Sequence, residues 1–235
     1  ITTKALKFIE NKNLKVDTIA DIFCGCGTTA FESKRNNINF WGCDINPVAT
    51  LIAKVKSNKY QVKRLDDYFQ KIKNYFINNK IKDEFDNANE RLKYWYSKKQ
   101  YNELKHLKEG MFKVVPKESR YIDFFQCAFS NILKPASMWL TKSIKPQYDP
   151  NKEPVEVLSS FEVQYLKMRN ANNEINNFGD SKVQIVNSDF LKIQTNIPKI
   201  DLIITSPPYV TSYEYADLHQ LSTLWLDFSN DYKEL

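Results

Sequence analysis

The chain has 235 residues, enough for one large domain or for a domain carrying an insertion. With 42% hydrophobic residues it can bury a core, yet it holds no uncharged apolar run long enough to span a membrane. A formal charge of +6 suits a polyanionic partner, and four cysteines without a C-x-x-C pair, beside two histidines, argue against a zinc site.

The chain opens on Ile1, and no basic-then-apolar leader follows. With thiols read as reduced, the expectation is a soluble cytoplasmic protein, with an internal fragment as one reading of the start. Residues Thr2 to Asn11 read as a helix with Ala5, Leu6 and Ile9 on one face. A β-run from Thr18 to Phe23 meets the glycine-containing turn Cys24-Gly25-Cys26-Gly27-Thr28-Thr29, and a helix follows from Thr29. A second β-run, Ile38 to Cys43, ends at Asp44, and Asn46-Pro47 opens the next helix with proline in its first turn. This β-α-β-α order in about 40 residues is the pattern of a parallel, doubly wound sheet.

From about Ser57 to Asp180 the period becomes helical, as in Leu65, Tyr68, Phe69, Ile72, Tyr75 and Phe76. Tyr121 to Leu133 is the most apolar helix, Lys145 to Pro154 reads as a loop, and Val155 to Asn170 as a further helix. A third β-run, Val183 to Val186, precedes Ser188-Asp189-Phe190. A fourth, Asp201 to Thr205, stops at Ser206-Pro207-Pro208-Tyr209, where two prolines remove backbone donors, and a last helix is expected over Leu218 to Phe228.

In such a sheet all four strand ends open on one carboxyl edge, which gathers Asp21, Gly25, Gly27, Asp44, Asp189 and Ser206 to Tyr209. Glycines let a backbone approach a ligand closely, and an acidic residue about 20 positions past the turn, here Asp44, is placed for ribose hydroxyls. The third glycine of a dinucleotide fingerprint is missing. Asp21 would repel a pyrophosphate but suits a nucleoside with a positively charged amino-acid tail, as in S-adenosylmethionine. A hydroxyl, free carbonyls and an aromatic ring at Ser206 to Tyr209 suit a flat hydrogen-bonding base, although a plain Pro-Pro turn would close a strand equally well.

The stretch Asp21-Ile22-Phe23-Cys24-Gly25-Cys26-Gly27-Thr28-Thr29 resembles the cofactor motif of the amino-methylating DNA methyltransferases, and Ser206-Pro207-Pro208-Tyr209 resembles their catalytic motif. Asp44-Ile45-Asn46-Pro47 is similar to the ribose motif and Ser188-Asp189-Phe190 to the adenine motif. The resemblance implies that Asp21 and the Gly25 to Gly27 backbone hold the methionine end, with Phe23, Thr28 and Thr29 in the same motif. It gives Asp44 and Ile45 the ribose side, and Asp189 and Phe190 the adenine. It implies a flipped-out base on Tyr209, whose amino protons are accepted by the Ser206 oxygen and the Pro207 carbonyl. Serine at position 206 leans towards cytosine N4. Adenine N6 methylation, and an inactive methyltransferase-like DNA-binding subunit, are the alternatives.

The expected fold is therefore α/β, a Rossmann-like methyltransferase sheet that is incomplete in this chain and carries a helical insertion. Residues 1–56 form the cofactor half, 57–180 the insertion and 181–235 the catalytic half. S-adenosylmethionine is the expected cofactor and DNA the expected partner, in a restriction-modification setting. A further segment or a partner subunit would supply the missing strands and target recognition. Within the insertion, Lys98, Lys99, Lys105, Lys108, Lys142 and Lys145 are expected either to face DNA or to form a solvated charged face.

Overall fold

The computed structural model describes residues 2–194, 196–207 and 215–231. The chain divides into two compact units, whose described parts are residues 2–59 with 173–207, and 60–172 with 215–231.

The first unit is built on a parallel sheet of β1 (Thr18–Asp21), β2 (Asn39–Asp44), β3 (Val183–Asn187) and β4 (Leu202–Ile203), in the order β3-β2-β1-β4. Both faces of the central strands are covered, so their sequences are nearly continuously apolar. On one face Ile19, Phe40, Ile185 and Ile204 pack with residues of α1 (Thr2–Asn11), α2 (Thr28–Arg35) and α3 (Pro47–Ser57). On the other, Ala20, Trp41 and Cys43 pack with Ile22, Val186, Ile193 and Ile200. Neighbours in sequence alternate between faces, as the pleat requires. The strands after β1 leave it in opposite directions, with β2 and β3 on one side and β4 on the other. The crevice beside β1 at its carboxyl end is thus a topological switch point, where open α/β sheets hold ligands.

The second unit is helical: α4 (Val62–Asn78), α5 (Glu90–Trp95), α6 (Lys98–Val114), α7 (Arg120–Leu133), most of α8 (Val157–Asn176) and α9 (Tyr215–Trp225). Its core is aromatic. Phe69 stacks on Tyr165 at 4.1 Å, and Phe125 stacks on the same ring at 6.0 Å. Trp95 stacks on Trp139 at 5.2 Å. Asp66 accepts hydrogen bonds from the Tyr165 hydroxyl and from two nitrogens of Arg169, and these bonds hold its carboxyl below the usual range. Among the described residues no helix is long and apolar enough to cross a membrane.

Several boundaries differ from the sequence expectation, each for a local reason. The run expected from Thr18 to Phe23 ends at Asp21, whose carboxylate accepts the Phe23 N–H at 3.1 Å and turns the chain. The run expected from Asp201 to Thr205 is a strand only at Leu202–Ile203: the Asp201 and Ile204 N–H groups still donate to the Thr18 and Ala20 carbonyls at 3.1 and 2.9 Å, and at Thr205 the contact with β1 passes to the side chain. The last helix starts at Tyr215 and ends at Trp225, where Asp227 adopts φ 57° and the Phe228 N–H reaches back to the Thr223 carbonyl at 3.0 Å. Placed by sequence with the catalytic half, α9 groups with the helical unit. Its Trp225 packs there against Tyr96, Tyr101 and Phe129.

The glycine turn after β1 fixes how closely α2 and α3 approach. Gly27 has φ 77°, and a Cβ there would lie 2.6 Å from Cβ and 2.8 Å from Cα of Ala53 in α3, whereas Gly25, at φ 48°, faces open space. We expect Gly27→Ala to cost roughly 2–4 kcal/mol, from the left-handed backbone plus overpacking, and Gly25→Ala about 1–2 kcal/mol from the backbone alone. Urea denaturation compares them directly. Equal losses at the two positions would contradict the close approach.

Candidate active site

Asp21 stands at the end of β1 and is 5% exposed. Burial raises its carboxyl above the ordinary value of 3.8. The Thr205 hydroxyl, the Phe23 N–H and the Thr29 hydroxyl pull the other way, and the nearby Asp44 charge adds to the rise. The Thr205 hydroxyl donates to Asp21 Oδ1 at 2.8 Å, which joins the strand before the Ser-Pro-Pro-Tyr segment to the strand before the glycine turn. Sequence reading gave Thr205 no role. The only signal was its place one residue before Ser206.

Asp44, at the end of β2, organises the neighbouring backbone. Its Oδ2 accepts the Gly25 N–H at 2.8 Å and its Oδ1 accepts the Asn46 N–H at 2.9 Å. Asn46 then caps α3 by accepting the Val48 and Ala49 N–H groups at 3.0 and 3.2 Å. Each Asp44 oxygen keeps further acceptor capacity, because a carboxylate can take about four hydrogen bonds. The Gly27 N–H donates to the Cys24 carbonyl at 2.8 Å. Both glycine amides are therefore engaged, that of Gly25 by Asp44 and that of Gly27 within the turn, and what the turn presents outward is the bare Cα face of Gly25. The Lys56 ammonium caps the Cys26 carbonyl at 3.1 Å, a contact that no local pattern announces.

At the end of β3 the Asn187 amide donates to the Asp44 and Ile45 carbonyls, both at 3.0 Å, and ties this strand end to the last. Asp189 caps the short turn Phe190–Lys192 by accepting the Leu191 N–H at 3.0 Å. The Phe190 ring meets Trp41 edge-on at 6.4 Å. Phe23, Ile45 and Phe190 are all exposed, an apolar side chain after each of β1, β2 and β3. Thr28 is exposed at the start of α2, and Thr29 is buried with its hydroxyl 3.4 Å from that of Thr2. Ser206 and Pro207 are exposed just beyond β4. Pro208 and Tyr209 lie outside the described residues.

The structure thus brings Asp21, Gly25, Asp44 and the Thr205-Ser206 step to one edge. The thiols beside them are not poised as nucleophiles: burial and the Asp44 and Asp21 charges push the Cys43 thiol up to about 11 and the Cys24 thiol higher still, so both stay protonated at neutral pH.

Asp21 also makes a pH prediction. Its raised carboxyl means the native state holds a proton that the unfolded chain releases nearer pH 3.8, so its contribution to stability falls as pH rises through that window. Asp21→Asn does not titrate. Its stability relative to the parent protein should therefore climb with pH across the window and level off above it, as followed by urea denaturation at a series of pH values. A difference that is flat with pH would show that Asp21 is not desolvated.

No family model matches the chain, and no solved structure matches it. It is 24% identical over 247 residues to the type II methyltransferase M.MvaI of Kocuria varians, a match covering 92% of this chain and 52% of that protein. It is 38% identical over 89 residues to the type II methyltransferase M.MjaII of Methanocaldococcus jannaschii, covering 36% of this chain and 17% of the relative. The chain therefore spans about half the length of M.MvaI and a smaller part of M.MjaII. By these matches it is a distant homologue of type II methyltransferases.

Proposed function

We propose that this chain carries the S-adenosylmethionine site and the catalytic segment of a DNA methyltransferase that modifies an exocyclic amino group, that of cytosine N4, in a restriction-modification system. The observation that carries this reading is the Thr205–Asp21 hydrogen bond. It ties Thr205, the residue before Ser206, to the carboxylate that would face the cofactor, at the switch point of a parallel sheet. The similarity to type II methyltransferases supports the same reading.

The donor set fits the cofactor. Asp21 is a buried carboxylate whose ionised form is penalised by desolvation, and a nearby cation would relieve that penalty. Asp44 keeps lone pairs for a pair of ribose hydroxyls, the open side of Gly25 admits close approach, and Ile45 and Phe190 offer apolar surface for a purine. Asp189 spends one oxygen on its own turn and has the other for an amino group. When bound, S-adenosylmethionine supplies a methyl group made electrophilic by the adjoining sulfonium.

What the chain itself must do is make an amino nitrogen nucleophilic. The lone pair of a cytosine amino group is delocalised into the ring. Accepting its two protons at the Ser206 oxygen and the Pro207 carbonyl favours a pyramidal nitrogen whose lone pair is available for attack. Among the described residues neither of these oxygens is held by another group. The Thr205–Asp21 bond anchors the residue just before them at the end of β1, which supports an orientation set before the base arrives. No carbon of the ring is attacked, which agrees with the protonated state of Cys24 and Cys43. The ring of Tyr209 is assigned to stacking on the base from sequence alone.

Methylation of mixed-sequence DNA with isotopically labelled methyl donor, followed by nucleoside mass spectrometry, tests the proposal. N4-methylcytosine is expected. Ser206→Ala should lower the rate roughly 10²-fold while DNA affinity stays nearly unchanged, since the serine bond strengthens as the nitrogen pyramidalises. Label on adenine N6 would replace the base and keep the chemistry. Label on a ring carbon, or full activity in Ser206→Ala, would overturn the mechanism.

A further inference from the structure

The six lysines expected to face DNA are not equivalent. Along α6, Lys98 pairs with Asp83 at 2.5 Å, Lys99 with Glu103 at 3.9 Å, Lys105 with Glu84 at 3.9 Å and Lys108 with Asp227 at 2.6 Å. Their charge is balanced within the helical unit. Lys142 and Lys145 are exposed and meet no carboxylate among the described residues. Both lie on the loop that Trp139 and Tyr148 close as an antiparallel bridge, and residues 139–148 contain no Asp or Glu.

This loop is held in shape from beneath. The Leu140 N–H donates to the Gln147 carbonyl at 2.8 Å and the Trp139 indole to the Lys145 carbonyl at 3.1 Å. Two ammonium groups complete the bracing. Lys134 donates to the Ser143 carbonyl at 2.6 Å and lies over the Trp139 ring, while Lys152 donates to the Lys134 and Trp139 carbonyls at 2.8 and 2.7 Å. Burial, with Lys134 nearby, pushes Lys152 down to about 8, so the bracing carries a desolvation cost. The braced loop exposes Thr141, Lys142, Ile144, Lys145, Gln147 and Tyr148, and Ile144, 62% exposed, stands between the two cations. Beside it Tyr94, 51% exposed, has its ring 5.2 Å from that of Tyr148. An aliphatic side chain between two uncompensated cations on a rigid tip matches a duplex better than a protein surface. Phosphates take the cations, and the aliphatic group packs on sugars and base edges.

We propose that the 139–148 loop is where the helical unit meets duplex DNA, with Lys142 and Lys145 on phosphates and Ile144 in the groove between them. The assignment rests on the DNA reading given above, but on different residues. The bracing bonds accept at backbone carbonyls, so substitution of these three side chains leaves them in place, and an unchanged thermal midpoint confirms it.

The test is fluorescence anisotropy of a labelled mixed-sequence duplex with the intact chain over a range of salt. The dependence of log affinity on log salt should be shallower by roughly 1.8 in Lys142→Ala/Lys145→Ala, at about 0.9 per phosphate contact. Lys98→Ala/Lys105→Ala should leave the slope unchanged. Ile144→Ala should weaken binding several-fold at every salt concentration, with the slope intact. An unchanged slope in the loop variant, a slope carried by the α6 lysines, or tighter binding of an RNA of the same sequence would overturn the proposal. Calorimetry with S-adenosylhomocysteine separates it from the catalytic reading. A chain that binds this ligand but no duplex loses the loop assignment and keeps its cofactor site. One that binds duplex through the loop but not the ligand keeps the assignment and loses the enzyme.

Discussion

The candidate site depends on a two-residue strand being held in register at both ends. At its amino end Asp201 accepts the Asp17 and Thr18 N–H groups, both at 3.0 Å, and these bonds hold its carboxyl below the usual range. At its carboxyl end the Thr205 hydroxyl binds Asp21, 184 positions away in sequence. Between them β4 contributes only Leu202 and Ile203 to the ladder, followed by the Ile204 N–H on the Ala20 carbonyl at 2.9 Å. So short a ladder specifies register weakly by itself, and a slip of one residue would turn every side chain to the other face. The two side-chain contacts remove that freedom, and they hold Thr205, the residue before Ser206, against the end of β1.

On the proposed reading the same carboxylate has two tasks. Asp21 receives the Thr205 hydroxyl, which is structural, and its desolvated carboxyl would face the ammonium of the cofactor. Asp44 divides its work similarly. Its two oxygens fix the glycine turn and the start of α3, and its spare lone pairs are what a ligand would use. On that reading structure and binding share these groups, so replacing either residue reports on both, and conservative changes such as Asp to Asn are the informative ones.

Much of this was legible in the sequence, because the features concerned are local. The glycine turn, the Asn46-Pro47 helix start and the placement of Asp44 follow from residues within a few positions of one another, and the helix Thr2–Asn11 has the bounds its apolar spacing predicts. What sequence did not announce is long-range. The Thr205–Asp21 bond joins opposite ends of the chain. The apolar face of α9 carries no mark of which unit it covers, and only its packing on Tyr96, Tyr101 and Phe129 decides the matter. A lysine's charge is visible in sequence, but its compensation by Asp83, Glu84 or Asp227 is not. For that reason six lysines that looked alike separate into four paired and two that meet no carboxylate among the described residues. Pro208 and Tyr209 rest on sequence alone.

The central claim is that Asp21 is a buried counter-charge awaiting a cationic nucleoside cofactor. Titration calorimetry of S-adenosylhomocysteine at mildly acid pH, repeated in buffers of different ionisation enthalpy, measures this directly. Its ammonium tail should draw the raised carboxyl into its ionised form, so one-to-one binding should release protons, and Asp21→Asn should abolish the release and weaken the affinity. Absence of binding, or binding with identical proton release in Asp21→Asn, would contradict the account.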